Sequence, residues 1–287
     1  MQNQATHHPL RDSTREALSH HLSESAFEHA LSTLEADGFV VFESVMTTDQ
    51  INAVRVALEP HFDHARRGRN DFEGFSTHRE YALMGKGAIF PELATHPLAL
   101  AFAEATVGAS CLLSAFLAIQ LYPGETVQPW HADDGHCHSP RPRAPLQCSA
   151  FWTIDETTPE NGATEVIPGS HQWGDTNADR RLRSGQAQAL QVALPPGSLM
   201  IALGTLVHRG GANRSASPRL ILTPQYCPGW VRPLESMLLS VPHEDARAMS
   251  ERARELCGYS IHPPFMGYAD GVHPAKYLND RAQVREH

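Results

Sequence analysis

The sequence predicts a mainly β fold with flanking helices: a jelly-roll, cupin-like core with a helical part before it and a flap behind it. Three observations point there. Between Cys111 and about Trp230, short apolar runs alternate with turn clusters such as Pro123-Gly124, Pro159-Glu160-Asn161-Gly162 and Pro195-Pro196-Gly197. That pattern suits the strands of a sandwich or jelly roll, not a parallel sheet with crossover helices. Before this region the apolar residues recur at helical spacing, and after it a helical stretch gives way to the Gly/Pro/aromatic tail GYSIHPPFMGYADGVHP. The 287 residues read as one domain, 1–287, with a helical part at 1–110, a β core at 111–230 and a C-terminal helix and flap at 231–287.

Residues 1–20 read as a loosely held arm. From Ser23 to Gly38, Phe27, Ala30, Leu31 and Leu34 recur at helical spacing, and Gly38 is a natural stop. Phe39-Val40-Val41-Phe42 reads as a short strand. Thr47-Thr48-Asp49-Gln50 offers an N-cap and an acidic first turn for a helix with Ile51, Val54, Ala57 and Leu58 on one face. Residues 66–80, polar and glycine-broken, read as a loop, and 97–109 as a helix. In the core the runs 112–121, 127–133, 147–154, 164–167, 189–194, 198–207 and 219–226 read as strands. Residues 244–256 read as a last helix.

Composition narrows the function classes. Hydrophobic residues make up 41% and charged residues 19%, which is globular. The net charge of −9 disfavours bare nucleic acid and anionic membrane as partners. The first residues, MQNQATHHPLRDSTRE, lack the apolar core of a signal peptide, and the apolar runs near 109–119 and 198–207 are too short to span a bilayer. Five cysteines, scattered and without a CxxC pair, argue against a disulfide or zinc-knuckle framework and for a reducing cytoplasm. With eighteen histidines in the chain, spacing must identify any ligand.

The chemistry-bearing stretch is Gln128-Pro129-Trp130-His131-Ala132-Asp133. On a strand, side chains two apart share a face, so His131 and Asp133 project together. An imidazole beside a carboxylate is two-thirds of the 2-His-1-carboxylate triad that holds Fe(II) and leaves open positions. His208, at the end of the run 198–207, is placed to supply the third ligand. Zinc could take the same three groups with a water, making a hydrolase. After His208 comes the turn Gly210-Gly211-Ala212-Asn213, and a hairpin there returns Arg219 towards it. A guanidinium so placed grips a carboxylate bidentately. Asp134, His136, Cys137 and His138 suit a pocket wall, with His136 or His138 as lesser alternatives to His131. Trp152 and Tyr226 suit the walls of the cosubstrate and substrate pockets, or the core equally well. Arg141 and Arg143, in a proline-flanked loop, read as solvated charges ahead of contacts to an anionic substrate.

Taken together, several segments resemble the phytanoyl-CoA dioxygenase family of Fe(II)/2-oxoglutarate oxygenases. They are Pro123-Gly124-Glu125, the QPWHAD stretch, FWTIDETTPENGATEVIPGSH, PPGSLMIALGTLVHRGGAN, Arg219 and the tail from Gly258-Tyr259 to His273-Pro274, with the upstream FSTHREYALMGKGAIFPELATHP also similar. The resemblance implies a double-stranded β-helix with His131, Asp133 and His208 as iron ligands. It implies Arg219 on the distal carboxylate of 2-oxoglutarate, with Gln128, Thr164 and Arg79 as further cosubstrate contacts. The cofactors implied are Fe(II), 2-oxoglutarate and O2, with ascorbate keeping the iron reduced. The implied reaction oxidises, most simply hydroxylates, an unactivated C–H bond of a small metabolite, releasing succinate and CO2. Desaturation, ring closure and endoperoxide formation are variations, and the presence of Asp133 disfavours halogenation. The rivals are a zinc hydrolase using Glu125 or Asp134 as base and a non-catalytic binding protein, which would not need Arg219. A homodimer through the tail is a further expectation.

Overall fold

A computed structural model of the chain describes residues 7–62 and 66–278. Helix α1 (Asp12–Leu18) buries Thr14 and Leu18. Just before it, Arg11 forms an ion pair with Glu255 at 2.5 Å, and its Nε donates to the carbonyl of Ala109. The part of the presumed arm that is described is therefore anchored; residues 1–6 lie outside the described residues. Helix α2 (Glu24–Asp37) begins at Ser23, whose side chain accepts from the Ala26 N–H, and stops at Gly38 in the left-handed region at φ 86°. A Cβ at Gly38 would lie 2.6 Å from His171 Nδ1, so glycine serves both the turn and the close packing.

Strand β1 (Phe39–Phe42) follows. Helix α3 (Thr48–Phe62) opens with a reciprocal cap: the Thr47 N–H donates to Gln50 Oε1 at 2.9 Å and the Gln50 N–H to Thr47 Oγ1 at 3.2 Å. Two short strands, β2 (Arg66–Arg67) and β3 (Thr77–Glu80), stand where the sequence reads as a loop. The misreading has a physical cause. The inward positions of β3 are Thr77 and Arg79, buried but polar, so the usual apolar alternation is absent. Helices α4 (Ile89–Ala94) and α5 (Pro97–Val107) come next, the second almost wholly buried.

The core strands are β4 (Leu112–Leu121), β5 (Cys148–Thr153), β6 (Glu165–Val166), β7 (Leu190–Gln191), β8 (Leu199–Leu203), β9 (His208–Arg209) and β10 (Arg219–Cys227). One antiparallel sheet runs β1-β8-β5-β10-β4-β3-β2, the other β7-β6-β9. Phe151, Met200 and Ile221 of the large sheet pack against Val166 of the small one, forming the inner layer of a jelly roll. The opposite face of the large sheet, with Trp152 and Leu222, packs against Phe27 and Leu34 of α2 and Phe102 of α5. Residues 127–133 do not form the expected strand: Pro129 lacks an N–H, and only His131 bridges, to His208. Helix α6 (Ala178–Arg183) lies between β6 and β7, and α7 (Met237–Ser240) follows the core. The expected last helix is two, α8 (His243–Ala248) and α9 (Glu251–Leu256), because Ser250 caps a fresh start by accepting from the Ala253 N–H.

Candidate metal centre and its cavity

His131 and His208 exchange backbone hydrogen bonds at 3.0 and 2.9 Å, which sets their rings side by side with centroids 4.4 Å apart. Each Nδ1 sits on a carbonyl two residues back: Pro129 at 3.0 Å for His131, Leu206 at 3.2 Å for His208. Nδ1–H donation to those carbonyls leaves both Nε2 lone pairs free. Both face Asp133 Oδ1, at 3.8 Å from His131 and 3.5 Å from His208. Asp133 Oδ2 accepts from the Ser149 hydroxyl at 2.6 Å, so the other oxygen is the one turned to the histidines. All three ligand atoms lie within 4.8 Å of one another. Burial, reinforced by the neighbouring His208, pulls the His131 pKa down to about 4, so its ring is neutral at pH 7, the form that binds a metal. Phe72 packs edge-on against His131 at 4.8 Å and Phe151 against His208 at 5.7 Å.

The triad opens into a cavity of about 680 Å³ between the sheets. Side-chain alternation builds its floor. Ala115, Leu117, Ile119 and Leu121 of β4 face it, in register with Gln225, Thr223, Ile221 and Arg219 of β10. Arg219 is 2% exposed; its Nη2 donates to the carbonyl of Gly162, and its Nε has no partner. Among the described residues no carboxylate lies within 4.0 Å of it. Burial pulls its pKa down to about 10, only partly offset by Asp155. A buried guanidinium without an anion is unfavourable by several kcal/mol, on the order expected for any unpaired buried charge.

The cavity also brings in Arg79, Gln128 and Thr164. Arg79 is 8% exposed and donates to the carbonyls of Glu73 at 2.9 Å and Phe72 at 3.4 Å, its pKa lowered by burial. Gln128 Oε1 accepts from the Gly210 N–H at 2.7 Å, and its Nε2 donates to the Phe72 carbonyl at 2.5 Å. A Cβ on Gly210 would meet that Oε1 at 2.7 Å, so a side chain there would push the amide aside. Trp152 is the residue that the structure removes from the site. It is fully buried on the helix side of the sheet, its ring 5.1 Å from His96, while its neighbour Phe151 takes the cavity face. Tyr226 is likewise core, its hydroxyl donating to the Ala94 carbonyl.

The two carboxylates that the sequence reading offers a hydrolase as base, Glu125 and Asp134, are committed elsewhere. Glu125 accepts from the Ser76 N–H, the Thr77 hydroxyl and the Thr126 N–H. Asp134 is fully buried and held by Arg143 at 2.7 Å and the Leu146 N–H at 3.0 Å. Arg143 is thus a half-buried partner of Asp134 instead of a solvated charge, and Arg141 donates to the carbonyls of Ser170, Thr205 and Trp173. His136 lines the cavity but is exposed, its Nδ1 on the Asp133 carbonyl. Ser149, which orients Asp133, and Glu235, which lines the cavity from beyond β10, carry no signal in the sequence.

The model of the phytanoyl-CoA dioxygenase family matches residues 34–221. Dioxygenase trt7 of Aspergillus terreus is 27% identical over 244 residues, which cover 81% of this chain and 84% of that protein. Among solved structures, the epimerase SnoN with Fe3+, alpha ketoglutarate and nogalamycin RO superposes with a TM-score of 0.62 at 21% identity, covering 72% of this chain and 85% of SnoN. HygX of Streptomyces hygroscopicus, with nickel, 2-oxoglutarate and hygromycin B, gives 0.60 at 17% identity, covering 74% and 90%. At these identities the structural likeness concerns the fold. Among the described residues no helix is long and apolar enough to cross a membrane.

Proposed function

Because this chain belongs to the phytanoyl-CoA dioxygenase family, we propose that its cavity is the active site of an Fe(II)/2-oxoglutarate oxygenase that hydroxylates a small-molecule metabolite. One observation carries the reading. Two histidine Nε2 atoms converge on one oxygen of Asp133, in the same cavity as a buried guanidinium that lacks an anion. His131, Asp133 and His208 would hold the metal and Arg219 the distal carboxylate of the keto acid. Their character fits: neutral imidazoles and one carboxylate for the ion, an unpaired fork for the acid. Ferrous iron bound there supplies, with O2 and 2-oxoglutarate, the oxidation of a C–H bond coupled to decarboxylation to succinate and CO2.

The chain's own work is orientation. Ser149 fixes the carboxylate, the carbonyls of Pro129 and Leu206 fix the imidazole tautomers, and Phe72 and Phe151 pack edge-on against the rings. Gln128, Thr164 and Arg79 line the same cavity as Arg219 and would be the further cosubstrate contacts. The scattered cysteines, five and all free, support a cytoplasmic location. The test is anaerobic loading with Fe(II), 2-oxoglutarate and ascorbate, followed by oxygen. Succinate release that needs iron and is lost with zinc supports the reading; zinc-dependent hydrolysis without succinate would overturn it.

A further inference from the structure

Three polar side chains in the cavity have no part in holding the metal or the keto acid: Thr223, Gln225 and Glu235. Their position is set by strand register. Arg219 and Gln225 lie on the same face of β10, about 20 Å apart at roughly 3.3 Å per residue. Gln225 is in register with Ser149 on β5, and Ser149 hydrogen-bonds Asp133. The triad touches both Ser149 and Phe151 of β5, so it stands over the floor between Arg219 and Gln225, and the Gln225 end is the metal end that lies away from Arg219. Glu235 reaches the metal end because its N–H donates to the Ser114 carbonyl at 2.7 Å, next to Ala115 on the cavity floor. The molecule to be oxidised has to sit at this end, clear of the keto acid.

The hydrogen-bond state of these groups is unusual. Glu235 Oε2 and Thr223 Oγ1 are both buried without a partner, and Thr223 is only 1% exposed. Most buried polar atoms in folded proteins are paired, and an orphan asks for an explanation. Burial raises the Glu235 pKa, only partly offset by the backbone N–H groups of Phe116 and Ala82 and by Lys86, a cation already ion-paired with Glu80. The surrounding wall is apolar, with Leu117, Phe151 and Leu234.

We propose that Thr223, Gln225 and Glu235 are the substrate-recognition end of the cavity and take an apolar small molecule bearing a protonated primary amine. An ammonium brings three N–H donors, and the cluster offers three acceptors: a carboxylate, a hydroxyl and an amide carbonyl. A neutral alcohol would supply one donor and leave Glu235 without a counter-charge. A carboxylic acid would be repelled here and drawn to the arginines instead. The inference rests on the oxygenase reading and names the substrate class for that same site.

Anaerobic titration tests it and keeps the two readings apart. Fe(II) and 2-oxoglutarate are added first, and the visible absorption of their chelate is recorded. Benzylamine, cyclohexylamine and tryptamine are then titrated against their N-acetyl derivatives. At least one amine should perturb the chelate spectrum and bind at least tenfold more tightly than its N-acetyl partner. Glu235→Gln should abolish that advantage, and Thr223→Val should reduce it about threefold, with chelate formation and circular dichroism as the controls for folding. If no chelate forms in the wild type, the oxygenase reading falls and this one with it. If the chelate forms but no pair shows an amine preference, or the preference survives in Glu235→Gln, the amine assignment alone is overturned.

Discussion

The Nε2 atoms of His131 and His208 stand 3.8 and 3.5 Å from one oxygen of Asp133, and both rings owe their place to one backbone bridge. Among the described residues, the segment before Asp133 has one further backbone bond to this side, from the Gln128 N–H to the Gly210 carbonyl at 3.0 Å. The bridge is thus the joint at which a loop and the small sheet make a site. Backbone hydrogen bonds fix the histidines, and a single hydroxyl fixes the carboxylate.

Removing the carboxylate takes away the only negative charge of the triad. Asp133→Ala should leave the fold intact, because the residue is half-buried, but it should abolish iron retention. Iron content after gel filtration and succinate release both report it. A turnover loss of at least about a thousandfold is expected, consistent with loss of several kcal/mol of binding.

Ser149 acts on the metal only through Asp133. Ser149→Ala frees the carboxylate to rotate and should weaken Fe(II) binding by about tenfold to a hundredfold, the range seen when partners of metal ligands are removed. The KM for 2-oxoglutarate, measured at saturating iron, should hardly move. A changed KM with unchanged iron affinity would mean that the hydroxyl serves the cosubstrate instead.

The spacing of His131 and Asp133 and the hairpin that returns Arg219 are local patterns, and the structure brings these residues into one cavity with His208. Trp152 was not separable from Phe151 by pattern. Both lie in a strand buried on two faces, so the sequence holds no alternation to say which one faces the cavity. Strand β3 was hidden for the converse reason, since its inward residues serve a polar cavity. Glu235 enters through a long-range hydrogen bond to Ser114, which no local pattern encodes.

His96 makes acid stability a readable quantity. It precedes α5 and its Nδ1 accepts from the Leu98 N–H at 3.3 Å, so the ring must be unprotonated there. Burial, then the charge of His21, pulls its pKa from 6.5 down to about 4. Below pH 6.5 the unfolded chain takes up the proton first, so stability is lost as pH falls from there towards 4. By pH 5 the loss from this group is about 2 kcal/mol. His96→Asn keeps a capping acceptor without the titration, and should flatten the pH dependence of the urea midpoint between about pH 7.5 and pH 5. An unchanged slope would place the acid sensitivity elsewhere.

Arg219 offers the sharpest test of how the cosubstrate is held. In the free protein its guanidinium is buried with one carbonyl partner and an orphaned Nε, and burial already pulls its pKa down to about 10. A dicarboxylate that fills this gap should raise the thermal midpoint of the iron-loaded protein, as any ligand does that binds the folded state alone. Arg219→Ala should remove that rise and raise the 2-oxoglutarate KM about a hundredfold, the few kcal/mol of a charge-assisted bidentate contact. Arg219→Lys keeps the charge but not the fork, and should fall between the two. The iron affinity of both variants should match the wild type, because no triad residue touches the guanidinium. If the KM stays unchanged in Arg219→Ala, the distal carboxylate is held elsewhere, and Arg79, the other nearly buried cation of the cavity, becomes the residue to substitute next.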